Sequence, residues 1–209
     1  MRKPLETISY GLYLLTAKEG EKDNGCIINT LIQLSSSPVR IQITVNKQNL
    51  THDMILRTGI FNVTVLSEKA PFSLFERFGY ASGRDTDKFS SMVGMKRAEN
   101  GLIHAIGIAC AYFSARVIQT VDVGTHTAFI AEVTASETLS DAAPMTYAYY
   151  FANVKPRPAA ATAPADGKGK LNGYVCKICG YLHEDDTLPD DFVCPICKHG
   201  AEDFEPYYG

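Results

Sequence analysis

The chain has 209 residues, 45% of them hydrophobic, and a formal net charge of -3, enough apolar side chains for one sizeable core and a smaller second domain. The charge is uneven: residues 171–209 set Lys177 and Lys198 against eight acidic residues, a net -6, which leaves +3 for the rest. So acidic a tail repels nucleic acid, and with no run of about 18 apolar residues in the chain no membrane span is expected. The opening MRKP is followed by ISYGLYLLTA and then KEGEKDNG, a poor cleavage context for a secretion signal. These features predict a soluble protein of the reducing cytoplasm, where cysteines at ligand spacing hold metal rather than form disulfides.

Ile8, Tyr10, Leu12 and Leu14 alternate with other residues, as do Val39, Ile41, Ile43 and Val45 in VRIQITVN and Phe61, Val63 and Val65 in FNVTVL; period two predicts half-buried strands. Between the last two, NLTHDMILRTG predicts a helix with Thr51 as N-cap and Gly59 as its C-terminal stop, and KAPFSLFERFG a second short helix opened by Pro71. The long run IHAIGIACAYFSARVIQTVDVGTHTAFIAEVTASETL predicts two or three long strands, with DVG as the turn between the last pair. Many strands and few helices over the first 154 residues predict a closed or nearly closed barrel. Cys26 and Cys110 lie in apolar strand contexts and read as small buried hydrophobes. There is no internal repeat, no GxGxxG and no P-loop, so any nucleotide-like cofactor must be held by strand-end loops.

Composition changes at Lys155. KPRPAAATAPADGKGK, residues 155–170, lacks large apolar side chains and reads as a linker. Beyond it, Cys176, Cys179, Cys194 and Cys197 form two CxxC pairs separated by fourteen residues. Four thiolates make a tetrahedral site that takes zinc or iron, and about forty residues need that metal to fold. Spacing alone leaves both metals open. Tyr174, Tyr181, Phe192 and Phe204 flank the pairs and supply a low-dielectric shell, one of the levers on a redox potential.

The residues CKICGY, TLPDDF and CPIC, with Phe204, resemble a rubredoxin, which implies iron bound by the four cysteines. The gap between pairs is shorter than in free-standing rubredoxins and is similar to compact modules fused to other redox proteins. Lys198 stands where Gly is usual, and Phe192 where many members have Trp. Upstream, GCIINTLIQLSSSPVRIQITVNKQNLTHDMILRTGIFNVTVL, FGYASGRDTDKF and GTHTAFIAEV resemble the flavin reductase-like family, whose fold is an FMN-binding split barrel. Together they resemble the high-molecular-weight rubredoxins. The implied architecture is mainly β: a split β-barrel with a few helices over 1–154, a linker over 155–170 and a small rubredoxin-like metal-knuckle domain over 171–209.

That resemblance implies FMN as cofactor, NADH or NADPH as donor, and specific site residues. Ser82, Arg84 and Lys88 in SGRDTDK offer the converging donors a phosphate needs, although the same loop reads equally as solvated surface. Asn29 and Thr30 would meet the isoalloxazine edge or ribityl chain; Ser35, Ser36 and Ser37 in SSSP would add hydroxyls and N–H groups to the cofactor site, or be simply a strand followed by a Ser/Pro turn; Asn46, Lys47, Asn49 and Thr51 would continue the polar cradle. His126 is the catalytic residue, beside flavin and nicotinamide, and Tyr150, with Tyr147 and Tyr149, supplies a stacking aromatic or simply core. The implied partner is a diiron flavoprotein that reduces oxygen or nitric oxide, or another acceptor protein, and the implied assembly a homodimer. Two rival functions stay open: a reductase that releases reduced flavin, and a non-catalytic flavin and zinc-ribbon interaction module.

Overall fold

The structure is a computed structural model that describes residues 7–156, 171–177, 181–194 and 200–208. They fall into two units that divide between Val154 and Lys155; Cys179 and Cys197 and nearly all of the proposed linker lie outside the described residues.

In the larger unit the chain opens with a hairpin, β1 (Tyr13–Glu19) and β2 (Lys22–Ile28), turned at Gly20, whose φ of 57° lies in the left-handed region that glycine enters without a Cβ clash. A second hairpin follows, β3 (Leu31–Ser36) and β4 (Val39–Asn46). Helix α1 (Leu50–Thr58) leads into β5 (Ile60–Leu66). Gly59 ends α1 as the sequence predicts: at φ 71° its N–H donates to the Ile55 carbonyl, a left-handed C-terminal stop. Helix α2 (Phe72–Phe75) runs into a π-helical turn at Glu76–Tyr80. A short ribbon, β6 (Met95–Arg97) and β7 (Ile103–Ala105), precedes the long hairpin β8 (Ala109–Asp122) and β9 (His126–Thr138). The predicted turn is there: Gly124, at φ 89°, donates its N–H to Asp122 Oδ1. Helix α3 (Tyr147–Tyr149) closes the unit with a second π-helical turn at Tyr150–Val154.

Seven strands form one antiparallel sheet in the order β2-β1-β5-β8-β9-β4-β3. Its two edge strands, β2 and β3, are consecutive in the chain, joined only by Asn29 and Thr30, yet they do not pair with each other. The barrel is therefore split at this point. One apolar cluster holds Leu15, Ile43, Val45, Met54, Ile55, Phe61, Val63 and Phe129, with α1 covering it. A second holds Leu12, Leu14, Leu66, Leu74, Phe75, Phe78, Met145 and Tyr150 on the other side of β1 and β5.

Three expectations are corrected. The first strand begins at Tyr13 rather than Ile8, which is 48% exposed. Strand β5 is buried on both faces, not half-buried: Asn62 and Thr64 are as inaccessible as Phe61 and Val63, and the Asn62 amide donates to the Leu102 carbonyl and accepts from Asn100, which satisfies its polar atoms. The N-cap of α1 is Asn49, while Thr51 is inside the helix, where its hydroxyl accepts from Asn24 Nδ2 at 3.0 Å. No helix among the described residues is long and apolar enough to cross a membrane.

In the smaller unit β10 (Leu171–Cys176) lies between β11 (Leu182–His183) and β12 (Phe204–Tyr208). Among the described residues of this unit, Val175, Cys176, Cys194 and Phe204 are its buried apolar side chains.

Candidate functional site

The polar residues singled out in the sequence gather where β4 ends and β9 begins. Asn46 and His126 are direct cross-strand partners. Side chains of such partners share a face of the sheet. Lys47, next in the chain, donates its backbone N–H to the Thr125 carbonyl and its ammonium to Asp122 at 2.7 Å, so the β8–β9 turn is tied to the end of β4. Asn49 closes the connection by donating its N–H to the Asn46 carbonyl. Thr30, at the split in the barrel, donates its hydroxyl to the Thr44 carbonyl at 2.9 Å, two residues before Asn46. Asn29 is half-buried beside it, and its amide makes no hydrogen bond among the described residues.

The loop SGRDTDK reaches the same region from another direction. Ser82 Oγ accepts the Arg84 N–H, and Arg84 Nη2 donates to Asp53 Oδ2 at 2.6 Å. Asp53 Oδ1 lies 3.0 Å from His52 Nδ1, and His52 Nε2 lies 2.9 Å from Thr127 Oγ1. Thr127 follows His126 directly, so four side chains link the loop to the start of β9. A Cβ on Gly83 would collide with the Asn24 amide, which seats the loop against β2 as well.

Electrostatics follow from these contacts. Burial, and after it the neighbouring His52, push the His126 imidazole below its ordinary value, so it is neutral at pH 7. Burial pulls the Asp53 carboxyl upward, but the hydrogen bonds from His52 and Arg84 and their nearby charges together outweigh it and hold the group below the usual carboxylate range.

Other expected site residues stand apart. Lys88 is 5% exposed, and its ammonium donates to the carbonyls of Gly25 and Phe78 at 3.0 and 3.3 Å; it anchors the base of the loop from inside. Burial lowers its pKa. Ser35 and Ser36 belong to strand β3 and only Ser37 to the turn, at the opposite end of β4 from Asn46, about 23 Å along the strand at roughly 3.3 Å per residue. Tyr150 is buried in the second apolar cluster, its ring 4.5 Å from Phe75 and its hydroxyl 2.8 Å from that of Tyr80, while Tyr147 packs edge-on to Tyr10 and Phe151. Tyr149 donates its backbone N–H to the Thr146 cap. Cys26 is buried, as expected, and Cys110 half-buried with its thiol against the Ala142 carbonyl.

His52, Asp53, Asn24 and Thr127 join the site although no sequence motif above contains a role for them. The signal was the THD triplet in the first turn of α1: two titratable groups side by side where a capping and an apolar face were all the helix required.

In the smaller unit Cys176 and Cys194 are 1% and 0% exposed. Each stands at the mouth of a knuckle closed by backbone pairing. The Cys176 N–H donates to the Tyr181 carbonyl at 2.8 Å, and Val193 pairs with Gly200. Phe204 is the cross-strand partner of Cys176; its ring meets Phe192 edge-on at 5.3 Å, and Phe192 in turn lies 4.3 Å from His183. Two buried thiols beside paired backbone, with Phe204 opposite Cys176 and packed on Phe192, fit a thiolate-bound metal. Cys179 and Cys197, the other two of the expected ligands, lie outside the described residues.

A split antiparallel barrel with a neutral histidine at its polar end, carried in one chain with a pair of cysteine knuckles, defines a two-module redox architecture. Residues 5–156 match the family described as "Flavin reductase like domain" and residues 174–205 match "Rubrerythrin, rubredoxin-like domain". The chain belongs to the flavin reductase-like family and carries a rubredoxin-like domain fused to it. It is 39% identical to the high molecular weight rubredoxin of Moorella thermoacetica, over 97% of this chain and 98% of that one. It is also 39% identical to a ferric-chelate reductase (NAD(P)H) of Archaeoglobus fulgidus, over 68% of this chain and 84% of the relative. Among solved structures, nitrilotriacetate monooxygenase component B from Mycobacterium thermoresistibile shares the barrel fold, with a TM-score of 0.60 and 21% identity over 68% of this chain and 77% of that one.

Proposed function

We propose that the protein carries electrons from NADH or NADPH through FMN in the barrel to iron in the knuckle module, and from there to an acceptor protein. The observation that carries this reading is the presence of both sites in one chain: Asn46 and neutral His126 at the polar end of a flavin reductase-like barrel, and buried Cys176 and Cys194 in a rubredoxin-like module. A bound flavin accepts a hydride and can release its electrons singly, and iron held by four thiolates takes one at a time.

This chain's own residues bind, orient and exclude. Asn29 and Thr30 join the two strands at the split, where the Asn29 amide, without a hydrogen-bond partner among the described residues, suits a flavin ring or its ribityl chain. Arg84, half-exposed and held at one end by Asp53, turns its remaining N–H groups toward a phosphate. His126, kept uncharged, orients the nicotinamide donor without repelling the positive charge that develops on it as the hydride leaves. Cys176, Cys179, Cys194 and Cys197 hold the iron, and Phe192 and Phe204 keep water from it. The acidic residues Glu184, Asp185, Asp186, Asp190 and Asp191 favour brief, salt-sensitive encounters with a basic patch on the acceptor. A diiron flavoprotein that reduces oxygen or nitric oxide fits that role, in a reducing cytoplasm. Exposed Ile118, Val121 and Val123 on β8 and the turn after it offer apolar surface that a second copy in a homodimer would cover.

The test is cofactor content. Aerobically purified protein should show both flavin and ferric-thiolate absorption and release FMN on denaturation, with one iron per chain. A colourless knuckle module holding stoichiometric zinc would overturn the proposal.

A further inference from the structure

The chain Arg84, Asp53, His52, Thr127 joins a surface loop to the strand that carries His126. Asp53 is in the first turn of α1, 28% exposed; the His52 side chain is 5% exposed and packs its ring edge-on against Phe129 at 5.6 Å. The protons can be placed by chemistry. An ionised Asp53 only accepts, so His52 Nδ1 carries the hydrogen that faces it, and Nε2 on the far side of the ring lies 2.9 Å from the Thr127 hydroxyl. Each group is thereby fixed by the next: Thr127, on a central strand, fixes the imidazole, the imidazole fixes the carboxylate, and the carboxylate fixes one nitrogen of Arg84.

An exposed arginine left to itself samples many rotamers and gives up that freedom when it grips a ligand. Arg84 has given it up already. One nitrogen is bound to Asp53 at 2.6 Å, its backbone N–H is held by Ser82, and Gly83 is seated on Asn24. The guanidinium is half-exposed and free to form a bidentate pair with an anion through its other N–H groups.

We propose that Asp53 is a positioning residue, anchored through His52 to Thr127, that presents Arg84 as a preformed receptor for the phosphate of the bound flavin. The inference rests on the flavin-binding reading of the barrel, in which Arg84 meets the phosphate end of the ligand, and adds Asp53, His52 and Thr127 as the residues that hold Arg84 ready for it. It also gives Lys88 a different task, because its ammonium is committed to the Gly25 and Phe78 carbonyls and holds the loop from beneath.

The test compares FMN with riboflavin, which lacks the phosphate, in fluorescence titrations of the full-length protein stripped of flavin. Asp53→Asn should weaken FMN binding about tenfold, the order expected when one long side chain must be ordered on binding, and leave riboflavin binding unchanged. Thr127→Val, which removes the hydroxyl with little change of shape, should act in the same direction with a smaller effect. In an Arg84→Ala background, Asp53→Asn should add no further loss, since Asp53 acts through Arg84. Unchanged FMN affinity in Asp53→Asn, equal losses for FMN and riboflavin, or an undiminished Asp53→Asn effect in the Arg84→Ala background would each overturn the proposal while leaving the flavin reading intact. Wild-type protein that binds neither flavin would overturn the flavin reading itself, and this proposal with it.

Discussion

The two units of this chain reach stability by different routes. The barrel has two apolar clusters sharing β1 and β5, with Leu14, Leu15, Ile43, Phe61, Val63, Leu66 and Phe129 fully buried; hydrophobic burial of that extent supports a fold without a ligand. The knuckle unit has Val175, Phe204 and two cysteines as its buried apolar side chains among the described residues, which is far too little. Its remaining stability has to come from metal ligation. One consequence is functional: the barrel can lose and regain a cofactor as an intact fold, whereas the knuckle unit and its metal form and fail together.

The largest effect that would break this contrast is removal of the metal. Cys176→Ser, or a strong chelator, should unfold the knuckle unit outright, since metal binding in small thiolate modules contributes on the order of 10 kcal/mol. Amide resonances of residues 171–208 should collapse to unfolded positions while those of the barrel stay put. A folded, metal-free knuckle unit would show that its few apolar contacts suffice. Next in size is a cavity in the barrel. Phe129→Ala, at a site with 0% exposure, should cost about 3–5 kcal/mol in chemical unfolding of the barrel, with the visible band of the metal site unchanged. Loss of that band along with the barrel would mean the two units unfold as one.

The smallest effect is acid titration. Burial lowers the pKa of His104, and burial together with His52 lowers that of His126, below the ordinary value of 6.5. The unfolded chain therefore binds protons that the folded barrel refuses, so stability is full above about pH 6.5, falls as the pH drops below it, and levels off once the folded-state histidines titrate. His126→Gln should remove its share of that slope, and a histidine NMR titration should place the His126 midpoint below 6.5; a midpoint above it would contradict the neutral imidazole proposed at the site.

Legibility in the sequence also differed between the regions, for physical reasons. Strands β4, β8 and β9, the Gly59 stop and the Gly124 turn were readable because each is fixed by local pattern or by a backbone angle. The knuckles were readable because four thiolates at that spacing have few other uses. Strand β3 was harder: Ile32 and Leu34 share a face yet are 54% and 45% exposed, so the apolar residues of this edge strand do not mark a buried side. Thr51 was misassigned because its partner, Asn24, is 27 positions away, and a capping rule sees only neighbours. Lys88 in SGRDTDK reads as surface until the fold brings two backbone carbonyls to its ammonium. The pairing of Arg84 with Asp53 across 31 positions left no periodic trace at all. Residues whose roles depend on distant partners were the ones the chain alone concealed.

In the proposed function the two sites exchange electrons. Its most direct test is an anaerobic visible spectrum of the purified protein during addition of excess NADH, and separately of NADPH. Internal transfer predicts that the flavin and ferric-thiolate bands both bleach with at least one of the two donors. Bleaching of the flavin band with the iron band persisting, in intact protein given time to equilibrate, would contradict it.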